Sequence, residues 1–102
     1  MAEWCRAAKK QDVPEGCGVV SEVAGKKLAI FNVQGQFYAT GNTCPHRGGP
    51  LGEGELNGPV VTCPWHGWTF DVTKGCHSEN PQVQIPTYPV KVEGDDVLVE
   101  VN

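Results

Sequence analysis

The sequence predicts an all-β fold, an antiparallel β-barrel or sandwich that carries a small inserted β subdomain. Three observations predict it. Near the C-terminus Tyr88, Val90 and Val92 alternate with polar or edge residues, Gly94-Asp95-Asp96 turns the chain, and Val97, Val99 and Val101 alternate again. That is the period-two pattern of a half-buried hairpin. The 13 glycines and 8 prolines are spread along the chain and separate short β-branched runs, as tight turns separate strands. No segment holds a helical period over a useful length.

The elements follow in order. Val19-Val20-Ser21-Glu22-Val23 reads as a strand. Lys27 to Val33 is apolar on both faces through Leu28, Ala29, Ile30 and Phe31, so it is expected in the centre of a sheet. Gln34-Gly35-Gln36 turns the chain into Phe37-Tyr38-Ala39-Thr40. From residue 42 to residue 86 the pieces are shorter and richer in Gly and Pro. Asn57-Gly58 is a hairpin signal between Glu55-Leu56 and Val60-Val61-Thr62. Trp68-Thr69-Phe70-Asp71 forms a further strand that ends in a Lys74-Gly75 turn. This middle stretch is expected as the inserted subdomain, with three or four strands. Trp4 and Trp68 are expected in the core, and His77 in a surface loop.

With 102 residues the chain is one domain. No apolar run approaches the roughly 20 residues that cross a bilayer, and Met1 to Arg6 has no apolar signal region; a cytoplasmic protein with no membrane partner is expected. The net charge is −4, and the longest basic clusters are Lys9-Lys10 and Lys26-Lys27, which excludes the basic footprint of a nucleic-acid binder. Five cysteines is an odd number. In a cytosolic chain it speaks for metal ligands plus spare thiols rather than a disulfide framework. Cys5, Cys17 and Cys76 read as small buried apolar residues. Asp95-Asp96 is a turn, and neither a nucleophile–base pair nor a phosphate loop is present, so an enzyme active site is not expected.

Two segments carry the chemistry, Cys44-Pro45-His46 and Cys63-Pro64-Trp65-His66. Each supplies one thiolate and one imidazole, in the pattern C-x-H-x16-C-x2-H. A structural zinc site usually groups its cysteines in one knuckle and its histidines in another. Here each loop mixes the two, which suits a binuclear centre with Cys44 and Cys63 on one iron and His46 and His66 on the other. A single Zn²⁺ on the same Cys2His2 set is the alternative that the donors permit. The prolines after the cysteines stiffen the loops, and Gly48, Gly49 and Gly67 let backbone amides approach a metal centre.

The run Cys-Pro-His-Arg-Gly-Gly-Pro-Leu from Cys44, with Cys-Pro-Trp-His-Gly-Trp-Thr-Phe-Asp from Cys63, resembles the Rieske ferredoxin family. Within it the chain is most similar to the small soluble ferredoxins of bacterial aromatic-ring oxygenase systems. Asn80-Pro81 resembles the family's proline-containing third loop, and Tyr88-Pro89-Val90 its entry to the C-terminal hairpin. The resemblance implies a single Rieske domain over residues 1–102, with a cluster-binding subdomain at about 42–86. It implies one [2Fe–2S] cluster per chain, held by Cys44, His46, Cys63 and His66. Two histidine ligands place such centres at roughly −150 to +300 mV, against about −400 mV for plant-type ferredoxins.

The implied function is a monomeric one-electron carrier between a flavoprotein ferredoxin reductase and a terminal oxygenase or other redox acceptor. The exposed edges of His46 and His66 would be the electron port. Pro45, Pro50 and Trp65 would form an apolar docking rim, or Trp65 would pack over the cluster, with Arg47 beside it as a contact or a solvated charge. Respiratory Rieske proteins carry an extra cysteine in each loop, where this chain has Gly49 and Trp65. They also carry a Ser and a Tyr hydroxyl at the cluster, where this chain has Trp68 and Phe70. Losing those donors implies the low end of the Rieske range. Proteins similar to this one also serve as the small subunit of NAD(P)H nitrite reductase. Many of those lack the ligands, and the intact quartet here favours the carrier.

Overall fold

The computed structural model describes residues 3–43, 50–65 and 67–101. In chain order its strands are β1 (Glu3–Lys9), β2 (Gly18–Val23), β3 (Lys26–Val33), β4 (Gln36–Gly41), β5 (Glu55–Asn57) and β6 (Val60–Thr62). Then come β7 (Thr69–Asp71), β8 (Cys76–His77), β9 (Thr87–Tyr88), β10 (Val90–Glu93) and β11 (Asp96–Val101). The only helices among the described residues are single 3-10 turns at Lys10–Asp12 and Leu51–Glu53. The strands form three antiparallel sheets, ordered β1-β11-β10, β2-β3-β4-β9 and β5-β6-β7-β8. The all-β expectation holds, and the third sheet falls inside the stretch read as an insertion.

The apolar run of β3 explains how the sheets are arranged. Residues 28–32 are all buried. Leu28 and Ile30 point into one core with Val13, Val23, Ala39, Val97 and Val99, between the first and second sheets. Ala29 and Phe31 point the other way, into a core with Leu51, Leu56, Val61, Cys63 and Phe70, between the second and third sheets. Successive side chains on a strand face opposite sides, so a strand apolar at every position is stable only as a wall between two cores. β3 is that wall. Asn32 ends the run, and its buried amide donates to the Val13 carbonyl at 2.8 Å while its oxygen accepts from Gly35 N–H at 2.9 Å.

The turns follow from backbone chemistry, with one correction. Ala24-Gly25 and Gln34-Gly35 join β2 to β3 and β3 to β4 with positive φ at both positions (51° and 80°, 53° and 89°), as type I′ hairpins need. Asn57-Gly58 was expected to make the next turn. Instead Asn57 pairs with Val60, and the two-residue loop is Gly58-Pro59 with Gly58 at φ 57°. Glycine at the first central position fits a type II′ turn, and proline at the second has no amide to lose.

Three further readings change. β1 carries Glu3, Arg6 and Lys9 among its seven residues, which hid its period, yet it pairs with β11 along its length with a bulge between Arg6 and Ala8. Trp4 lies on the outer face of that sheet, 39% exposed, with the Lys91 ammonium 4.5 Å from the ring centroid; it is not a core residue. Tyr88 and Val90, read as one strand, belong to different sheets. Tyr88 pairs with Ala39 and Val90 with Val99, and Pro89, which has no amide to donate, sits at the switch. Val92, beside the turn that ends the edge strand β10, is exposed.

Among the spare thiols Cys17 is exposed and Cys5 and Cys76 are half-buried. The expected full burial fails because Cys17 sits in the connection before β2, where its backbone rather than its side chain is engaged, accepting from Asn32 N–H at 3.0 Å. Among the described residues no helix is long and apolar enough to cross a membrane.

Because Phe31 fills one of the two cores that share β3, Phe31→Ala is expected to cost about 3–5 kcal/mol. That is a large part of the roughly 5–15 kcal/mol that stabilises a domain. Urea unfolding followed by tryptophan fluorescence measures it. A loss under about 1 kcal/mol would show that β3 is not the shared wall.

Candidate metal centre

Three connections meet at one end of the third sheet, and each is closed at its base by backbone hydrogen bonds. The first runs between β4 and the 3-10 turn at Leu51–Glu53. It is closed by a bridge between Thr43 and Pro50 and by Leu51 N–H donating to the Asn42 carbonyl at 2.7 Å. The second joins β6 to β7 and is closed by Cys63 N–H donating to the Trp68 carbonyl at 2.6 Å. Gly67 within it has φ 75°, a left-handed conformation that a β-carbon disfavours. The third follows β8 and is closed by His77 N–H donating to the Val83 carbonyl at 2.7 Å.

The described ends of these loops are held against one another. Gly54, just after the first loop, passes so close to the Thr62 carbonyl that a β-carbon there would collide with it. Thr62 immediately precedes Cys63, so the exit of the first loop is pressed against the strand that delivers the second. Leu51 and Cys63 also share one core. The third loop is tied to β7, since Ser78 N–H donates to the Thr69 carbonyl at 3.0 Å and the two hydroxyls form a short hydrogen bond.

Of the expected ligands, Cys63 is buried, with its side chain 1% exposed and packed in the core beside Phe70. Cys44, His46 and His66 lie outside the described residues, as do Pro45, Arg47, Gly48 and Gly49. Trp65 is 50% exposed, as expected for a loop tip. Pro81 is exposed in the third loop, where Asn80 makes an Asx turn to Gln82 N–H at 3.2 Å. Trp68 is half-buried and packs on the same core. Phe70 is fully buried.

His77 is misplaced by the sequence reading. It is not a loop residue but the end of β8, directly across from Phe70. Its ring stands edge-on to Trp68 and Phe70 at centroid distances of 5.0 and 5.4 Å. Its Nδ1 accepts from Glu79 N–H at 3.0 Å. Asn42 was not singled out at all. It is only 7% exposed, and its side-chain Oδ1 accepts from Gly52 N–H at 2.8 Å. A lone asparagine two residues before an expected ligand cysteine reads as turn chemistry, and only its burial reveals more.

These residues fit a metal centre. A thiol on a hairpin loop is sunk into the core, and the second donor-bearing loop is clamped alongside with both its ends fixed.

The Rieske [2Fe-2S] domain family matches residues 3–89. The chain belongs to that family, and it is an electron-transfer protein that carries one [2Fe–2S] cluster. It is 39% identical over 101 residues, 98% of this chain and 97% of the relative, to the ferredoxin component of a naphthalene 1,2-dioxygenase system from Pseudomonas aeruginosa. The Sphingomonas yanoikuyae B1 ferredoxin superposes with a TM-score of 0.89 at 31% identity, covering 98% of this chain and all of that one (100%). A ferredoxin bound to the oxygenase of carbazole 1,9a-dioxygenase gives 0.83 at 34%, covering 94% and 91%. A nitrite reductase small subunit from Mycobacterium tuberculosis, described as putative, gives 0.89 at 24%, covering 100% and 97%, and shares the fold.

Phe70 lies beside Cys63 in the core and has no hydroxyl to give. Phe70→Tyr is expected to raise the midpoint potential by roughly 40 mV, the equivalent of about 1 kcal/mol from one added hydrogen bond. Protein-film voltammetry on fully loaded protein decides it. An unchanged or lower potential would show that the ring does not reach the cluster.

Proposed function

We propose that this chain is the ferredoxin of an aromatic-ring oxygenase system, passing single electrons from a flavoprotein reductase to a terminal oxygenase. We assign the ligands as Cys44, His46, Cys63 and His66, and residues 42–86 as the cluster-binding part of a single domain. The observation that carries the reading is the donor quartet on two loops whose bases are clamped together over one core. Its likeness along nearly the whole chain to a dioxygenase ferredoxin component supports the partner class.

A bound [2Fe–2S] cluster takes up and releases one electron without other chemistry. The chain's own residues hold it still. Burial of Cys63 keeps water from the thiolate side, and the fixed loop bases keep reorganisation small. Trp65, exposed at the loop tip, offers an apolar contact for the small, short-lived interface of a redox encounter. With four protein ligands no coordination position is open to a substrate, in keeping with a carrier. The protein acts as a monomer, so that one loop tip serves reductase and oxygenase in turn.

Two outcomes test this. Purified protein is expected to contain two irons and two labile sulfides per chain, in line with the family's cluster. Cys44→Ser or Cys63→Ser abolishes them, while Cys5→Ser, Cys17→Ser and Cys76→Ser keep them. A colourless protein with one zinc would sink the reading. In turnover with the reductase and oxygenase of a naphthalene 1,2-dioxygenase system, Trp65→Ala is expected to raise the carrier concentration needed for half-maximal rate about tenfold. That equals about 1.4 kcal/mol of docking energy, with the visible spectrum unchanged. Wild-type kinetics in that variant would remove Trp65 from the interface.

A further inference from the structure

Among the three connections at the cluster end, the first is closed in part by a buried side-chain hydrogen bond, whereas the side-chain bonds of the third are exposed. The second is the turn of a β6–β7 hairpin and the third is closed by main-chain groups of His77 and Val83. The first leaves the second sheet at the end of β4 and returns into a 3-10 turn, with one bridge at Thr43 and Pro50. Asn42 stands at that exit with three anchors. Its N–H donates to the Lys27 carbonyl at 3.3 Å, its own carbonyl accepts from Leu51 at 2.7 Å, and its Oδ1 accepts from Gly52 at 2.8 Å.

Gly52 is buried, and even a β-carbon there would lie 2.8 Å from the Val19 carbonyl. A buried amide that loses its acceptor keeps the full cost of its desolvation. The partner atom must be an oxygen, because a carboxamide nitrogen would set donor against donor.

We infer that Asn42 is a positioning residue for the cluster: its buried carboxamide oxygen, by holding Gly52 N–H, fixes the return of the loop that bears Cys44 and His46. The inference rests on the ligand assignment above. Asn42 does not touch the cluster; it sets the spacing of the loop ends before loading and resists their parting afterwards.

The test compares loaded wild type with Asn42→Leu, which keeps the branched four-atom side chain and removes the acceptor, and Asn42→Asp, which keeps an oxygen. Val99→Ala, in the other core, serves as a destabilised control. Loss of visible absorption in excess chelator is expected about tenfold faster in Asn42→Leu than in wild type, and near wild type in Asn42→Asp and Val99→Ala. The EPR lines of the reduced loaded fraction of Asn42→Leu should also broaden or shift. Release no faster in Asn42→Leu than in Val99→Ala, or no recovery in Asn42→Asp, overturns the inference. Should Asn42→Leu fail to fold, hydrogen exchange at Gly52 in loaded wild type decides: slow exchange supports the clamp and exchange at an open-loop rate overturns it. A wild-type chain without iron and sulfide would defeat the ligand assignment instead, while exchange at Gly52 would still report on the clamp.

Discussion

The structure depends on one strand being dry on both faces. β3 separates two cores, with Leu28 and Ile30 on one side and Ala29 and Phe31 on the other. The outer sheets have no comparable strand. The β1-β11-β10 sheet offers one apolar face and leaves Trp4 and Lys91 outside, and the third sheet is built of strands two or three residues long. Such short strands do not hold together on pairing energy alone. They persist because Leu56, Val61 and Phe70 are pressed against the wall that β3 provides. One donor loop joins β6 to β7 and the other runs from β4 to the 3-10 turn before β5, so the bases of both rest on the cores that Ala29 and Phe31 help to fill.

From that wall the order of the site follows in steps. Phe31 and Phe70 fix the plane of the third sheet, β6 and β7 fix the hairpin that carries Cys63, and Gly54 against Thr62 fixes where the other loop may end. His77 closes the far side of this packing by standing edge-on to Trp68 and Phe70. Electron transfer benefits from surroundings that do not rearrange. Here the surroundings are main-chain hydrogen bonds and filled core, both costly to disturb.

Much of this was legible in the residues. The continuous apolar run Leu28-Ala29-Ile30-Phe31 announces a strand covered twice, and the valines near the C-terminus announce a hairpin, because burial writes its period directly into the sequence. The donor pattern is legible for a different reason: thiolates and imidazoles at that spacing have few other uses. What stayed hidden depends on partners remote in the chain. β1 is masked by its charges and is a strand because β11 pairs with it. Trp4 looks like core by composition, but it lies on the face that no second sheet covers. His77 and Asn42 are polar residues whose meaning is set by what packs around them, Phe70 for one and Gly52 for the other. Gly58-Pro59 shows the smaller version of the same limit, since one residue of register decides which pair makes the turn.

The segment between β4 and β9 leaves and rejoins the second sheet at neighbouring positions, with Thr40 opposite Thr87 and Gly41 N–H on the Pro86 carbonyl at 2.9 Å. Its two stalks are therefore already side by side in the frame. The entropy of closing a loop grows only with the logarithm of its length, about 0.6 kcal/mol for each doubling. A chain organised this way can lengthen or shorten its electron-carrying tip at small cost while the frame is left alone. The joint at Gly41 and Pro86 is the point where change would be felt by both parts, and a β-carbon on Gly41 would already lie 3.3 Å from the Pro86 ring.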